Sequence, residues 1–158
     1  MKPNIDIHDN IRAEIAALLS KLLADESILS QKTRSAHWNI VGPDFNAMHG
    51  FFESQYRAIE ESIDEVAERI RTLGHDAPGS LAEMLRHARL SEIDGAARDS
   101  RTWVSALLAD HESIIIHLRA DARTAGKLGD DGTNDFLIGL MQNHEKAAWM
   151  LRAGLQST

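Results

Sequence analysis

Five side chains of the metal-binding kind, His37, His49, Glu53, Asp64 and Glu68, fall in one stretch of this sequence. Two imidazoles with three carboxylates form a borderline-hard N/O set, suited to iron, manganese or zinc and unsuited to copper(I). His49 and Glu53 stand four residues apart, as do Asp64 and Glu68, so the members of each pair share one helix face. The inner pair Glu53/Asp64 and the outer pair His49/Glu68 are centred on the same point, between Ala58 and Ile59. Placements symmetric about one point are what two copies of a helix need to build shared sites across a two-fold axis.

On a helix turning about 100° per residue, with His49 at zero, Glu53 falls near 40°, Asp64 near 60° and Glu68 near 100°. The apolar stripe Phe52, Tyr56, Ile59, Ile63, Val66, Ile70, Leu73 centres near 290°, well off that arc. The candidate ligands therefore lie off the packing face. Glu53 and Asp64 are separated by roughly 16 Å along the axis, too far to hold one ion within a chain. An antiparallel partner helix brings His49 beside Glu68 and Glu53 beside Asp64. His37, beyond Gly42-Pro43, reaches the same place from the preceding helix.

The elements that must position these residues are helices throughout, because the apolar residues recur with helical period and no stretch alternates as a strand. The first covers about 9–37, with Ile11, Ile15, Leu18, Leu22 and Leu29 in a stripe that Asp25 interrupts. Gly42-Pro43 ends it. The second runs about 44–73, stopped by Gly74 and Pro78. Ser80-Leu-Ala-Glu83 is a capping box that starts a short helix in the connection. A third long helix, about 92–125, carries Val104, Leu108, His111, Ile115, Leu118 and Ala122 in phase. Gly126 to Gly132 reads as a turn, and the fourth long helix, about 133–155, carries Leu137, Met141, His144, Ala148, Leu151 and Leu155. The expected fold is all-α: a ferritin-like four-helix bundle with a short extra helix between the second and third helices.

At 158 residues the chain makes one domain, 1–158, of which 1–8 is expected to be a short flexible segment. No cysteine is present, which excludes disulfides, thiolate metal sites and cysteine nucleophiles. No apolar run is long enough for a membrane span and the first ten residues are too polar for a secretory signal, so a cytoplasmic location is expected. With 24 acidic and 17 basic residues the net charge is −7, unfavourable for binding phosphate backbones.

His37-Trp38-Asn39, Gly42-Pro43-Asp44-Phe45, His49-Gly-Phe-Phe-Glu53 and Asp64-Glu-Val-Ala-Glu68-Arg69-Ile70 closely resemble the signature of the Dps family of mini-ferritins. The similarity continues through Ala109-Asp-His-Glu112, Gly132-Thr-Asn-Asp-Phe136 and His144-Glu-Lys-Ala-Ala-Trp-Met-Leu-Arg152, covering about 11–155. The resemblance implies a hollow shell of twelve subunits, with ferroxidase centres between two-fold-related subunits. There hydrogen peroxide oxidises iron(II), up to two ions per site, and ferric mineral collects inside. It implies that His37, His49 and Glu53 of one subunit face Asp64 and Glu68 of its partner, with zinc or manganese as possible substitutes. The family pattern most often has Asp where Glu53 stands. The longer side chain keeps the carboxylate but alters the reach at the weaker iron position.

Trp38, beside a ligand histidine, is expected from the same resemblance to intercept one-electron oxidants, or to serve as an aromatic anchor at a subunit contact. Asp121, Asp130, Asp131 and Asp135 cluster around the last turn, where related shells place an acidic pore. Helix capping is the competing role for each. His111 and His144 lie equally far from that turn within apolar stripes and are expected to meet as a buried, mutually satisfied pair, with no in-phase carboxylate to complete a metal site. No Glu-x-x-His motif occurs, so an in-bundle di-iron centre is not expected. His111-Glu112 and His144-Glu145 lack the second histidine of a zinc-protease motif. The alternative function is a DNA-condensing nucleoid protein. Lys2 alone in the first ten residues, and no basic residue after Arg152, weigh against it.

Overall fold

The computed structural model describes residues 3–93 and 99–156, and among these every regular element is a helix. The long helices are α1 (Asp9–Asn39), α2 (Phe45–Thr72), α4 (Ser100–Lys127) and α5 (Asp131–Leu155), with the short α3 (Leu81–His87) between α2 and α4. α1 packs along α2 and α4 along α5. The two pairs meet through α1 against α4, α3 covers part of α1, and α2 touches α5 only sparsely.

Each boundary has a local cause. Gly74 follows α2 in the left-handed region (φ 85°), where the His75 amide donates to the Ile70 carbonyl (3.3 Å) and closes the helix end. A Cβ at Gly74 would also sit 2.7 Å from the Pro3 ring, so the position is glycine-only on two counts. The capping box of α3 is formed: Ser80 Oγ accepts from the Glu83 amide (3.3 Å) and Glu83 Oε2 from the Ser80 amide (3.0 Å).

The third long helix starts later than the periodicity predicts. Glu92 and Ile93 lie outside any helix, the expected residues 94–98 fall outside the described residues, and Asp99 caps α4 by accepting from the Thr102 amide (2.8 Å). The turn read across 126–132 is also narrower. Gly126 is the penultimate residue of α4 and Gly132 the second of α5, leaving 128–130 as the bend.

The core follows the expected stripes. Phe52, Ile59, Val66, Ile70 and Leu73 of α2 are buried, while Tyr56 and Ile63 are half-buried. α1 departs from a one-faced helix: Leu22, Leu23, Ala24, Asp25 and Glu26 are all buried, so its middle turn is surrounded. Asp25 is neutralised there, accepting from Arg89 Nε (2.7 Å) and from the amides of Arg89 (2.6 Å) and Leu90 (3.0 Å). A buried carboxylate persists only with such donors.

Candidate metal centre

The α1–α2 corner brings His37, in the last turn of α1, against His49, near the start of α2. Their rings stack with centroids 3.8 Å apart. Each ring bonds the other residue's backbone: His37 Nδ1 lies 2.9 Å from the His49 carbonyl oxygen and His49 Nδ1 2.9 Å from the His37 carbonyl oxygen. A carbonyl only accepts, so each Nδ1 is the donor in its bond and each neutral ring keeps its free lone pair on Nε2. A metal-binding histidine is held in this way, one nitrogen anchored to a backbone carbonyl and the other presented outward.

Aromatic neighbours that sequence reasoning passed over hold the stack in place. Phe45 stacks on the outer face of the pair (5.1 Å to the His49 centroid), and Tyr56 sets its edge against His37 (5.4 Å). The Arg34 guanidinium lies 5.0 Å from the Tyr56 centroid and pairs with Glu60. Phe45 was legible as the residue four before His49 on one helix face; Tyr56 had been assigned wholly to the core stripe.

Glu53 is half-buried one turn beyond His49, with Arg57 Nη2 donating to its Oε1 at 2.5 Å, an i,i+4 pair. Asp64 and Glu68 are exposed on the same side of α2, with no hydrogen bond or ion pair among the described residues. Arg69, next to Glu68, is fixed by Thr133 Oγ1 (2.9 Å) and Asp130 Oδ1 (2.9 Å), which anchors this end of α2 to the start of α5. The chain thus brings His37 and His49 together at one corner, with Glu53 one turn further along α2 and Asp64 and Glu68 beyond it. Among the described residues no three metal-type side chains converge within one chain.

Trp38 is exposed beside this corner (62%). Of the four acidic residues around the last turn, Asp121 is buried and accepts from Arg89 Nη1 (3.0 Å). Asp130 is buried, caps α5 through the Thr133 amide (2.9 Å) and pairs with Arg69. Asp131 and Asp135 alone of the four expose their side chains.

The second histidine pair meets inside the bundle: His111 Nδ1 and His144 Nδ1 are 2.9 Å apart. A carboxylate does join them, contrary to expectation. Glu26 of α1, fully buried, places Oε1 2.7 Å from His144 Nε2. It was missed because the in-phase search covered only the helices that carry the histidines. Burial, with the charge of His144 second, pushes the His111 pKa down to about 3. Both rings border a groove of about 500 Å³ between α2 and α5, whose rim includes Ala58 and Ile59.

A family model described as a ferritin-like domain matches residues 16–158. An uncharacterized low temperature-induced protein of Nostoc sp. is 41% identical over 154 residues, 97% of this chain and 86% of that one. DNA protection during starvation protein 2 of Bacillus anthracis is 35% identical over 90% of this chain and 97% of its own. Among solved structures, a Dps protein from Vibrio cholerae O1, described as one of the ferritin-like diiron-carboxylate proteins, superposes with a TM-score of 0.93 at 31% identity, covering 98% of this chain and 97% of that chain. DpsC from Streptomyces coelicolor superposes at 0.95 with 29% identity, covering 100% and 92%.

Proposed function

The chain belongs to the Dps family of ferritin-like proteins, and on that premise we propose that it is a mini-ferritin that oxidises iron(II) and stores the ferric product. The observation that supports this reading is the reciprocal anchoring of His37 and His49, which leaves two Nε2 lone pairs at one corner, one helical turn before Glu53 on α2. Half a site is present in each chain. Asp64 and Glu68 of a two-fold-related copy complete it, because the spacing about Ala58 and Ile59 matches an antiparallel pairing of α2. The full assembly is a dodecameric shell built on such dimers.

Iron is the substrate and the cargo. The carboxylates favour the ferric state, since their negative charge stabilises the ion as it loses an electron. Hydrogen peroxide is the oxidant: each peroxide takes one electron from each of two iron(II) ions, and hydrolysis of the ferric product releases protons to solvent. Consuming both iron(II) and peroxide removes the reactants of hydroxyl-radical formation. Trp38, exposed beside His37, is placed to intercept a stray one-electron oxidant. Asp131 and Asp135 are the members of the acidic cluster left to line an iron inlet, because Asp121 and Asp130 are engaged as structural partners.

Rapid mixing of peroxide with protein loaded anaerobically with iron(II) tests this reading. His37→Ala and Glu68→Ala should each abolish fast oxidation; unchanged oxidation and mineral retention in both variants would overturn the site assignment. A gel shift at physiological salt addresses the DNA role that relatives' names carry. At net −7 no retardation is expected.

A further inference from the structure

Buried within the bundle, away from the α1–α2 corner, is a cluster that the ferroxidase reading does not use. Glu26 is fully buried, its Oε1 is engaged with His144 Nε2, and its Oε2 has no hydrogen-bond partner among the described residues. A buried carboxylate with one orphaned oxygen is costly unless positive charge lies close by. Asp25, the adjacent residue, shows how this fold normally answers that cost: a guanidinium and two backbone amides converge on it. Glu26 has one imidazole.

We propose that His111 and His144 form a second divalent-metal site, at the floor of the α2–α5 groove, with Glu26 as its supporting carboxylate. Three features carry this inference. The Nδ1 atoms face each other at hydrogen-bond distance, 2.9 Å, so an opening of about 0.4 Å would seat both at about 2.0–2.1 Å from one tetrahedral ion. The Glu26 contact on His144 Nε2 is the carboxylate–histidine–metal relay: the Nε2–H donates to the carboxylate, fixes the tautomer and leaves the Nδ1 lone pair for the ion. The rings border a groove of about 500 Å³ that Glu61 and Glu65 also line, which gives a hydrated cation a route to them.

Two imidazoles suit a first-row divalent ion such as zinc, with groove water filling the remaining positions. On binding, His111 carries its proton on Nε2 and presents Nδ1, and the dication offsets the charge of Glu26 through the His144 ring. Both imidazoles and the carboxylate come from one chain, so the ligand set is separate from that of the shared centre, although the groove leading to it borders the proposed two-fold at Ala58 and Ile59.

Zinc is the probe. Crystals of the full, assembled chain soaked in zinc should give an anomalous peak bridging the two Nδ1 atoms; an empty position there at saturating zinc overturns the proposal and leaves a proton-sharing histidine pair. Calorimetric titration with zinc, in protein already carrying His37→Ala and Glu68→Ala, removes the shared centre from the count. In that background His111→Gln should lose one zinc per chain, and Glu26→Gln should weaken the same site about 10–100-fold. Unchanged stoichiometry in His111→Gln overturns the proposal, whatever the fate of the ferroxidase reading. The soak needs no substitution, so it decides even where a variant fails to fold.

Discussion

Two histidine pairs in this chain have opposite surroundings. His37 and His49 stack at an exposed corner, each tied by Nδ1 to the other's backbone, with both Nε2 atoms uncommitted. His111 and His144 are buried, bonded to each other through Nδ1, and backed by a carboxylate from a third helix. In the proposed dimer the outer pair takes further carboxylates from a second chain, whereas the inner pair meets a carboxylate of its own chain. Substitutions at the outer pair should therefore register in chemistry, and substitutions at the inner pair in stability.

The sharpest break of that comparison is Glu26→Ala. It leaves the His144 Nε2–H unpaired in the core and opens a void, costing about 3 kcal/mol. Urea unfolding should show a lower midpoint, while the folded protein still oxidises iron(II) at the parent rate. A stability loss under about 1 kcal/mol would mean the inner cluster is not structurally coupled.

His37→Ala and Glu68→Ala should show the reverse. Both remove groups from a half-exposed or exposed face, so stability should move by less than about 1 kcal/mol. Fast peroxide-driven oxidation should fall by at least about a hundredfold, because a removed ligand costs no less than a disturbed supporting residue. Equal rates in parent and variants would detach the outer pair from the chemistry.

Acid sharpens the contrast in metal-free protein. The unfolded chain protonates His111 near pH 6.5, while the folded core resists protonation until about pH 3. Its contribution to stability is thus complete above pH 6.5 and is lost as pH falls through that window. One proton corresponds to about 1.4 kcal/mol per pH unit. Unfolding free energies measured between pH 7 and pH 5 should decline more steeply in the parent than in His111→Gln. Parallel slopes would show that His111 is already protonated in the fold.

The difference between the pairs also explains what could be read from the sequence. The candidate outer ligands could be picked out because His49, Glu53, Asp64 and Glu68 lie on a face distinct from the Phe52–Leu73 stripe, an arrangement visible from helical period alone. The meeting of His111 and His144 was legible from their place in the apolar stripes of the two helices that flank the last turn. Glu26 was not, since its partner lies 118 residues away and an acid beside Asp25 in an apolar stripe reads as an interruption until α4 and α5 are set against it. The start of α4 was misplaced for a related reason: acids such as Glu92 are compatible with a helix, and only the Asp99 cap shows where the chain commits to one. The completing half of the outer site lies outside any single chain, so its geometry rests on the symmetry about Ala58 and Ile59.

The smallest expected effect belongs to Arg57→Gln. Arg57 donates to Glu53 Oε1 at 2.5 Å, so a cation already occupies the carboxylate proposed for the weaker iron position. Glu53 and Glu26 each meet one nitrogen donor, but Arg57 is exposed and His144 is buried. An exposed pair exchanges with solvent at little cost, so the arginine competes with iron only weakly. Removing it should tighten the second iron(II) equivalent a fewfold in an anaerobic titration, leaving the first equivalent and the unfolding midpoint unmoved. If both equivalents shift together, Arg57 acts through the general field of the surface. If neither shifts, Glu53 binds no iron, and its glutamate in place of the family's usual aspartate has displaced it from the centre.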